Sequence, residues 1–471
     1  MPRTSLPLEL LVALRRGAAP LHAQLEAQLR DAVRDGRLGP GARLPSSRVL
    51  AAELGVSRGV VVEAYAQLAA EGYLGVRPGA APVVAAHAAP ADHGGAAVVV
   101  PPPRHDLRPG LPDLGAFPRA AWGAAMRSVL RDTPDADLGY PDPAGHPRLR
   151  TALAGYLGRV RGVRAAPERI VVCGGVAEAL RLTATVLHAR GVRAVAVEDP
   201  SHAETQGQLV HGGLEPVPVR VDEHGIDPSA IPARAGAVLV TPAHHFPTGV
   251  VLAPARRAAL VAWARETGGV IVEDDYDAEH RYDRSPVGAV QGLAPDAVVH
   301  VHSVSKTLAP GLRLGWAVAP RELAGELAEA KRRSDLGAPV LEQLALAELI
   351  ERGELDRHLR RMRPRYRRRR DALVGTLLAG RPDLAVEGVA AGLHVSVRLP
   401  PPLTEEAVVA AAAGRGVAVG AAGVHATAPR PAALVLGYAR LPEPGLRAAA
   451  RALLAAMDDA GRSCDNRQDV I

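Results

Sequence analysis

The feature that most constrains the fold is the alternation, from about residue 105 onward, of short apolar runs with segments long enough to form helices. Strands separated by helices in this way pair in parallel, and the helices cover both faces of the sheet. The sequence therefore predicts an α/β domain with a largely parallel sheet, followed by a smaller α+β lobe. The predicted strands are residues 170–172, 194–197, 237–240, 270–272, 298–301 and 314–318, with 393–397 and 434–436 in the lobe.

The N-terminal part of the chain has a different pattern. Apolar residues recur every four positions from 21 to 33, which predicts one helix that stops at Gly36. A short helix capped by Ser46 or Ser47 follows, and Ser57 caps a further helix. Two short apolar runs between residues 73 and 85 then form a hairpin. This order predicts a winged helix-turn-helix.

The candidate DNA contacts lie on the paired helices. Ser57, Arg58 and Gly59 stand at the N-terminal end of the second helix, which enters the major groove in helix-turn-helix proteins, where arginine can bind guanine in bidentate fashion. Arg48 begins the preceding helix and is placed to bind a phosphate. A helical docking domain with solvated arginines is the alternative, because residues 1–80 carry 10 arginines against 7 acidic residues, a weak excess.

Residues 86–104 are dominated by Ala, Pro, Gly and His, and they end in three consecutive prolines. This composition is typical of an interdomain linker. The predicted organisation is a DNA-binding domain at 1–85, a linker at 86–104 and an effector domain at 105–471.

Composition excludes several classes of protein. The chain has only 2 cysteines, which rules out a disulfide framework and favours a reducing, cytoplasmic location. No apolar run reaches the ~18 residues that a membrane-spanning helix needs. Pro7 and Glu9 interrupt the apolar start, so no signal peptide is predicted. A net charge of +6 permits an anionic partner without demonstrating one.

Lysine is almost absent from the chain. Of the 56 basic residues, only Lys306 and Lys331 are lysines. Unlike arginine, a lysine amine can lose its proton and form a Schiff base. Lys306 follows Ser303 and Ser305 at a strand end and precedes Arg313 by seven residues, which favours an aldehyde-binding amine beside a phosphate. A surface-loop lysine is the alternative, and a P-loop is excluded because its glycines are missing.

The acidic segment 273–277 ends another predicted strand. A buried carboxylate at this place can pair with a pyridinium nitrogen and keep it protonated, while the phenol of Tyr276 can donate to a ring oxygen. A metal site that adds Glu279 and His280 is the rival interpretation. An EF-hand loop is disfavoured because His280 stands where that loop needs glycine.

Gly174, Gly175 and Val176 lie between a predicted strand and a predicted helix at 177–188. Backbone amides at the N-terminus of a helix bind phosphate. A double glycine in such a turn is weak evidence alone, but it gains weight because the Lys306 segment already indicates a phosphate.

Taken together, residues 105–455 resemble the fold-type I pyridoxal-phosphate aminotransferases, and the N-terminal unit resembles the GntR family of bacterial regulators. The fused chain therefore resembles the MocR subfamily of regulators. The motifs that carry the resemblance are LPSSR (44–48), LGVSR (54–58), AY (64–65), EGYL (71–74), GYP (139–141), Gly145, LR (149–150), TP (241–242), FPTG (246–249), EDDYD (273–277), SKTL (305–308) and RLG (313–315).

The resemblance implies a cofactor, pyridoxal 5′-phosphate, and a role for each matching residue. Lys306 would carry the cofactor as a Schiff base, Asp274 would pair with the pyridine nitrogen, and Tyr276 would meet the ring oxygen. Tyr140 matches a tyrosine that reaches the phosphate from the neighbouring subunit, which implies a homodimer. The phosphate would be held by Ser303, Ser305, Arg313 and the amides of Gly174, Gly175 and Val176.

The chain departs from the family at several positions. His202 stands where the family has tyrosine, and it would stack on the cofactor ring more weakly and in a pH-dependent way. His245 and Ala177 replace glutamines. The sequence places no arginine for a substrate carboxylate, and Arg430 is the nearest candidate.

The sequence thus predicts a cytoplasmic, homodimeric, DNA-binding transcriptional regulator. It would bind pyridoxal phosphate and double-stranded operator DNA, and it would sense the cofactor, an amine or an amino acid; no metal and no membrane partner are predicted. The alternative is a functional aminotransferase with an appended DNA-binding unit. The arginine-rich residues 357–370 are expected to form a solvated face of a long helix, with Leu359 and Met362 turned inward.

Overall fold

The computed structural model describes residues 12–17, 19–77, 80–85, 102–282 and 287–468. The chain divides into two compact units, Met1–Pro101 and Pro102–Ile471. Most of the predicted linker at 86–104 lies outside the described residues, as do Pro7 and Glu9.

The first unit is the expected winged helix-turn-helix. Leu25, Leu29, Leu50 and Leu68 are buried in one core, which confirms the helical period seen in the sequence. The two short strands pair antiparallel and form the wing. The elements of this unit are the helices α1 (Leu21–Arg34), α2 (Ser47–Glu53) and α3 (Arg58–Ala70) and the strands β1 (Leu74–Gly75) and β2 (Val83–Val84).

Side-chain hydrogen bonds hold the beginning of α2 and the chain before it against α3. Ser46 is the N-cap of α2, and its hydroxyl accepts the Val49 N–H at 3.4 Å. Ser57 precedes α3 in the cap position, without a side-chain cap bond. The Tyr65 hydroxyl on α3 donates to the Pro45 carbonyl at 2.9 Å, which ties the chain before α2 to the second helix.

The second unit contains an eight-stranded sheet, a four-stranded sheet and a two-stranded pair. Its strands are β3 (His105–Asp106), β4 (Ile170–Cys173), β5 (Ala194–Asp199), β6 (Glu215–Asp222), β7 (Gly225–Ile226), β8 (Ala235–Val240), β9 (Val270–Asp274), β10 (Val298–Ser303), β11 (Gly315–Val318), β12 (Ala385–Glu387), β13 (His394–Arg398), β14 (Val417–Ala418), β15 (Gly420–Ala421) and β16 (Ala433–Gly437). Its helices are α4 (Arg119–Asp132), α5 (Pro147–Arg161), α6 (Val176–Ala189), α7 (Ala203–His211), α8 (Pro254–Thr267), α9 (Arg321–Asp335), α10 (Val340–Glu351), α11 (Glu354–Gly380), α12 (Glu405–Gly414) and α13 (Glu443–Gln468).

The large sheet has the strand order β4-β11-β10-β9-β8-β5-β6-β7. β10, β9, β8, β5 and β6 pair in parallel, which confirms the largely parallel sheet. β11 is antiparallel to both β10 and β4. The sequence pattern did not predict β6, because Pro216 and Pro218 interrupt its apolar character.

Both faces of the large sheet are buried. On β4, Ile170 and Val172 belong to one hydrophobic cluster, whereas Val171 and Cys173 belong to another. Alternate side chains of a strand point to opposite faces, so each face has its own core. This arrangement is the covered sheet expected of an α/β domain.

The C-terminal lobe is built on the antiparallel sheet β12-β13-β16-β15. On α11, Leu359 and Met362 are buried, which confirms the inward face. The arginines of this helix are not all solvated, because Arg369 is buried and its Nη2 lies 2.9 Å from Asp113 Oδ2. Among the described residues, no helix has the length and apolar character needed to cross a bilayer.

Candidate functional site

The parallel strands of the large sheet end together at one edge, and their last residues surround a cavity. Asp274 ends β9, Ser303 ends β10, and Glu198 is the next-to-last residue of β5; all three line the cavity. Ligands of open α/β sheets bind at this edge, outside the carboxyl ends of the strands. The cavity has a volume of about 580 Å³. Among the residues singled out in the sequence, Val176, His202, Asp274, Tyr276, Ser303, Ser305, Lys306 and Arg313 line it.

Lys306 projects its amine into this cavity. The Nζ atom donates a hydrogen bond to the Gly110 carbonyl at 2.5 Å. Burial lowers the pKa of Lys306, and the charges of Asp277 and Asp274 only partly oppose this effect. A lowered pKa increases the fraction of neutral amine, which is the nucleophilic form.

Asp274 differs from the other acidic residues of its segment. Its side chain is buried, and its Oδ1 atom has no hydrogen-bond partner among the described residues. Burial raises the pKa of Asp274 to about 7, with the nearby Asp275 acting in the same direction. A buried, unsatisfied carboxylate oxygen is costly unless a donor meets it, and the N–H of a pyridinium ring is such a donor.

Tyr276 belongs to a chain of polar contacts beside Asp274. Its hydroxyl lies 3.2 Å from Nδ1 of His244, which in turn lies 3.0 Å from Oδ2 of Asp277. Burial raises the pKa of Tyr276, so the phenol keeps its proton at neutral pH and can donate it to an oxygen.

The remaining acids of the segment have partners inside the protein. Asp275 accepts two hydrogen bonds from the Arg161 guanidinium, at 2.7 and 2.9 Å, and Glu279 lies 3.0 Å from Nε2 of His302. These ion pairs engage two of the acids, Asp275 and Glu279, that the rival metal interpretation used. Within the described part of the chain, a different buried group, His244, Asp277 and His394, brings potential ligand atoms within 4.8 Å of one another.

The turn before α6 brings Gly175 against Arg313. Gly175 has a left-handed φ of 110°, and a Cβ atom there would lie 3.1 Å from Nη2 of Arg313. The φ value favours glycine at this position, and the missing Cβ lets the guanidinium approach the helix N-terminus, where backbone amides of the first turn lack helical acceptors. Together they form a cradle suited to an anion.

Gly174 differs from the expectation, because its N–H donates to Oε2 of Glu178 at 2.5 Å. This amide is thus engaged within the protein. Glu178 in turn binds the second lysine of the chain, Lys331, at 2.9 and 3.0 Å.

Of three further residues considered with the resemblance, His202 lines the cavity, whereas Tyr140 and Arg430 do not. The ring of His202 packs 5.2 Å from the ring of Phe246, and burial lowers the pKa of His202. Tyr140 is 91% exposed and does not line the cavity. Arg430 lines a second cavity of about 610 Å³, with its Nη2 atom 3.7 Å from Glu387 Oε2.

In the N-terminal unit, Arg48, Ser57, Arg58 and Gly59 are all exposed. Arg58 Nε donates to the hydroxyl of Ser47 at 3.4 Å, so the beginnings of α2 and α3 lie side by side. The four residues form one exposed surface at the helix-turn-helix.

Several polar residues of the cavity escaped the sequence analysis. Gly110 supplies the acceptor for Lys306, and no local pattern marks it. Glu198 is buried, and its Oε2 accepts hydrogen bonds from the backbone N–H and the hydroxyl of Thr241, at 2.9 and 2.6 Å. Glu198 and Thr241 lie at the carboxyl ends of neighbouring parallel strands. Because such ends meet at one edge of the sheet, the positions of the predicted strands could have indicated that these two residues belong to the cavity.

The families that this chain matches correspond to its two compact units, Met1–Pro101 and Pro102–Ile471. Residues 21–84 match the family described as bacterial regulatory proteins, gntR family, and residues 113–453 match aminotransferase class I and II. Among solved structures, the α-aminoadipate aminotransferase LysN from Thermus thermophilus is 27% identical, with a TM-score of 0.67 over 75% of this chain and 92% of that chain. A multiple substrate aminotransferase from Thermococcus profundus (24% identical, TM-score 0.70, 76% and 92% covered) shows the same fold.

Relatives that span both units are regulators. The pyridoxine biosynthesis transcriptional regulator PdxR of Corynebacterium glutamicum is 36% identical over 84% of this chain and 86% of that protein. The probable rhizopine catabolism regulatory protein MocR of Rhizobium meliloti is 33% identical over 87% of each chain. TauR of Rhodobacter capsulatus is 32% identical over 78% of this chain and 82% of that protein.

A helix-turn-helix unit of the GntR type joined to an aminotransferase fold defines a class of HTH-type transcriptional regulators. The chain belongs to this class and, within it, to the MocR subfamily.

Proposed function

We propose that the protein regulates transcription by binding operator DNA through its N-terminal unit and pyridoxal 5′-phosphate at Lys306. The observation that carries the proposal is the set of groups in one cavity: the partly buried Lys306 amine, the unsatisfied Asp274 oxygen, and Arg313 against Gly175. When bound, the cofactor supplies an aldehyde that condenses reversibly with primary amines. Occupancy of this site would therefore depend on the concentration of the cofactor or of an amine.

The residues present fit this cofactor. Asp274 would accept the ring N–H, and Tyr276 would donate to the ring oxygen. Arg313, Ser303, Ser305 and the amides of Gly175 and Val176 would hold the phosphate. The Gly174 amide would not take part, because it donates to Glu178. His202 would pack on the ring.

A homodimer is part of the proposal. Tyr140 is 91% exposed, and Leu130 and Leu138 are 63% and 59% exposed, so this region of the second unit presents large apolar side chains to solvent. Such exposed apolar side chains are candidates for contact with a second copy of the chain. Sedimentation of the purified protein at equilibrium should give twice the 49.0 kDa chain mass, and Tyr140→Ala should weaken cofactor binding if the tyrosine serves the neighbouring subunit.

The test of the proposed function is recovery of a specific sequence from a random pool of double-stranded DNA. We expect enrichment of one motif and a change in its affinity when the cofactor is added. A transaminase assay with common amino acids runs in parallel. Turnover without DNA selection would instead favour the alternative, an aminotransferase with an appended helix-turn-helix unit.

A further inference from the structure

The charges that line the Lys306 cavity bear on the kind of amine that it accepts. Of the described residues in the cavity wall, only Lys306 and Arg313 have cationic ammonium or guanidinium groups. Four acidic side chains line the same cavity: Glu198, Glu204, Asp274 and Asp277. An amino acid would therefore bring its carboxylate into a predominantly acidic site.

Neither cation is available for that carboxylate. Lys306 is the residue proposed to bind the cofactor, and Arg313 lies against Gly175 at the N-terminus of α6, where the phosphate would sit. Arg430, the candidate suggested by the sequence, is not among the residues that line this cavity; it lines the second cavity, where its Nη2 atom lies 3.7 Å from Glu387 Oε2.

The histidines near the cavity do not replace an arginine. Burial lowers the pKa of His202, which lines the cavity. His394 also lines it, but its ring is buried and packs 4.7 Å from the ring of His244 and 5.1 Å from the ring of Phe246. Burial also lowers the pKa of the neighbouring His425 to about 4. The rings of His202 and His425 are neutral at pH 7 and carry no charge for a carboxylate. His211 is exposed, and its Nδ1 atom lies 2.7 Å from the Gly207 carbonyl of its own helix.

Glu204 is the free anion of the cavity. Asp277 contacts His244, Glu198 accepts hydrogen bonds from Thr241, and Asp274 faces the proposed ring nitrogen. Glu204 lies in the first turn of α7, is exposed, and has no ion-pair partner among the described residues. Its carboxylate can meet a second positive charge on a ligand.

We infer that the effector of this regulator is an amine without a carboxylate, and that diamines are favoured because Glu204 binds their second ammonium. The inference rests on the proposed function and names the ligand class of the same site.

The test uses three ligands with the same four-carbon chain: 1,4-diaminobutane, 1-aminobutane and 4-aminobutanoate. At the end opposite the shared amine they carry an ammonium, a methyl group and a carboxylate, respectively. Binding to the full-length, cofactor-loaded protein is measured by titration calorimetry at fixed salt. We expect 1,4-diaminobutane to bind about tenfold or more tightly than 4-aminobutanoate, since like-charge contacts are strongly unfavourable.

Variants of Glu204 assign the preference to this side chain. Glu204→Gln should weaken 1,4-diaminobutane by about two- to fivefold, the range for an exposed ion pair, and should leave 1-aminobutane unchanged. Glu204→Arg should reverse the order and favour 4-aminobutanoate. Glu266→Arg is the matched control, because Glu266 is an exposed glutamate on α8, outside the cavity wall, and the net charge changes equally.

Two results would overturn the inference. One is that the unaltered protein binds 4-aminobutanoate as tightly as 1,4-diaminobutane or more tightly. The other is that the Glu204 variants change the affinities for all three ligands by the same factor. The relative affinities of the three ligands are measured without DNA. A protein that selects no DNA motif but prefers diamines would therefore contradict the proposed function alone, and the opposite outcome would contradict this inference alone.

Discussion

At the scale of single residues, the acidic segment before Lys306 shows how neighbours of one chemical type acquire different tasks. Asp275 is held by Arg161, and Glu279 is held by His302, so both are anchors of the buried site. Asp274 lies beside them with one oxygen unsatisfied and a raised pKa. Residue type alone presents these carboxylates as equivalent, and the family resemblance singles out Asp274. Their partners give the physical reason, because they distinguish a group for a ligand from groups that hold the fold.

The first prediction concerns Lys306. The protein loaded with pyridoxal phosphate should be yellow, and Lys306→Ala should lose the colour, because the amine that binds the aldehyde is gone. Borohydride reduction followed by peptide mapping should place the label on Lys306. Lys331 is the internal control, since it is buried in an ion pair with Glu178 and Asp335. A label on Lys331 would refute the assignment.

The second prediction concerns the pH dependence of stability. Burial alone would lower the pKa of His302, but the charge and hydrogen bond of Glu279 outweigh it and raise this pKa to about 9. A raised histidine pKa stabilises the fold fully below pH ~6.5, and the stabilisation disappears as the pH rises to ~9. The loss should be on the order of 3 kcal/mol.

Urea unfolding of the cofactor-free protein at several pH values measures this effect. The three tryptophans of the chain, Trp122, Trp263 and Trp316, all lie in the second unit, so their fluorescence reports on that unit. His302→Gln should lower the free energy of unfolding at pH 6.5 and flatten its fall between pH 6.5 and 9. An unchanged slope in the variant would assign the pH dependence to other groups.

At the scale of elements, the predictable part of the fold was the part with a periodic pattern. The helical period of α1 and the apolar runs of β4, β5, β8, β9 and β10 follow from local sequence, and so does the edge where the strands end. Gly110, which holds the Lys306 amine, lies 196 residues away in sequence, and no local pattern marks such a contact. Arg430 is a candidate for a substrate carboxylate only because it precedes the last strand of the lobe. That position does not determine where its side chain lies, because tertiary packing does.

The third prediction concerns α2 and α3. Arg58→Ala should weaken binding to the selected operator by about 1–3 kcal/mol and relax the sequence preference, because Arg58 begins the recognition helix and is exposed. Arg48→Ala should lower affinity for specific and random DNA alike, since a phosphate contact carries no sequence information. Binding curves on both kinds of DNA, at one salt concentration, separate the two roles. Equal losses on operator and random DNA for both variants would show that Arg58 does not contact bases.

At the scale of the whole molecule, a regulator needs its two units to be coupled, whereas an enzyme with an incidental DNA-binding unit does not. A ligand can change DNA affinity only if the states that bind DNA well and poorly also differ in affinity for the ligand. The cavity at Lys306 lies wholly within the second unit, and the four exposed candidate DNA contacts lie wholly within the first. Coupling is therefore a property of the intact chain, and neither unit alone can reveal it.

The fourth prediction measures that coupling. Operator affinity should differ between the cofactor-free and the cofactor-loaded protein by about 5- to 150-fold, the range that corresponds to typical coupling energies of about 1–3 kcal/mol. Lys306→Ala should bind DNA like the cofactor-free protein whether or not pyridoxal phosphate is added, because the covalent link to the cofactor is missing. By reciprocity, operator DNA should change the affinity for the cofactor by the same factor, which gives an independent check by absorbance titration. All measurements share one salt concentration, since phosphate contacts alone alter DNA affinity by orders of magnitude. Identical affinities for the three forms, together with turnover of a common amino acid, would mean that the aminotransferase-like unit acts as an enzyme and not as a sensor.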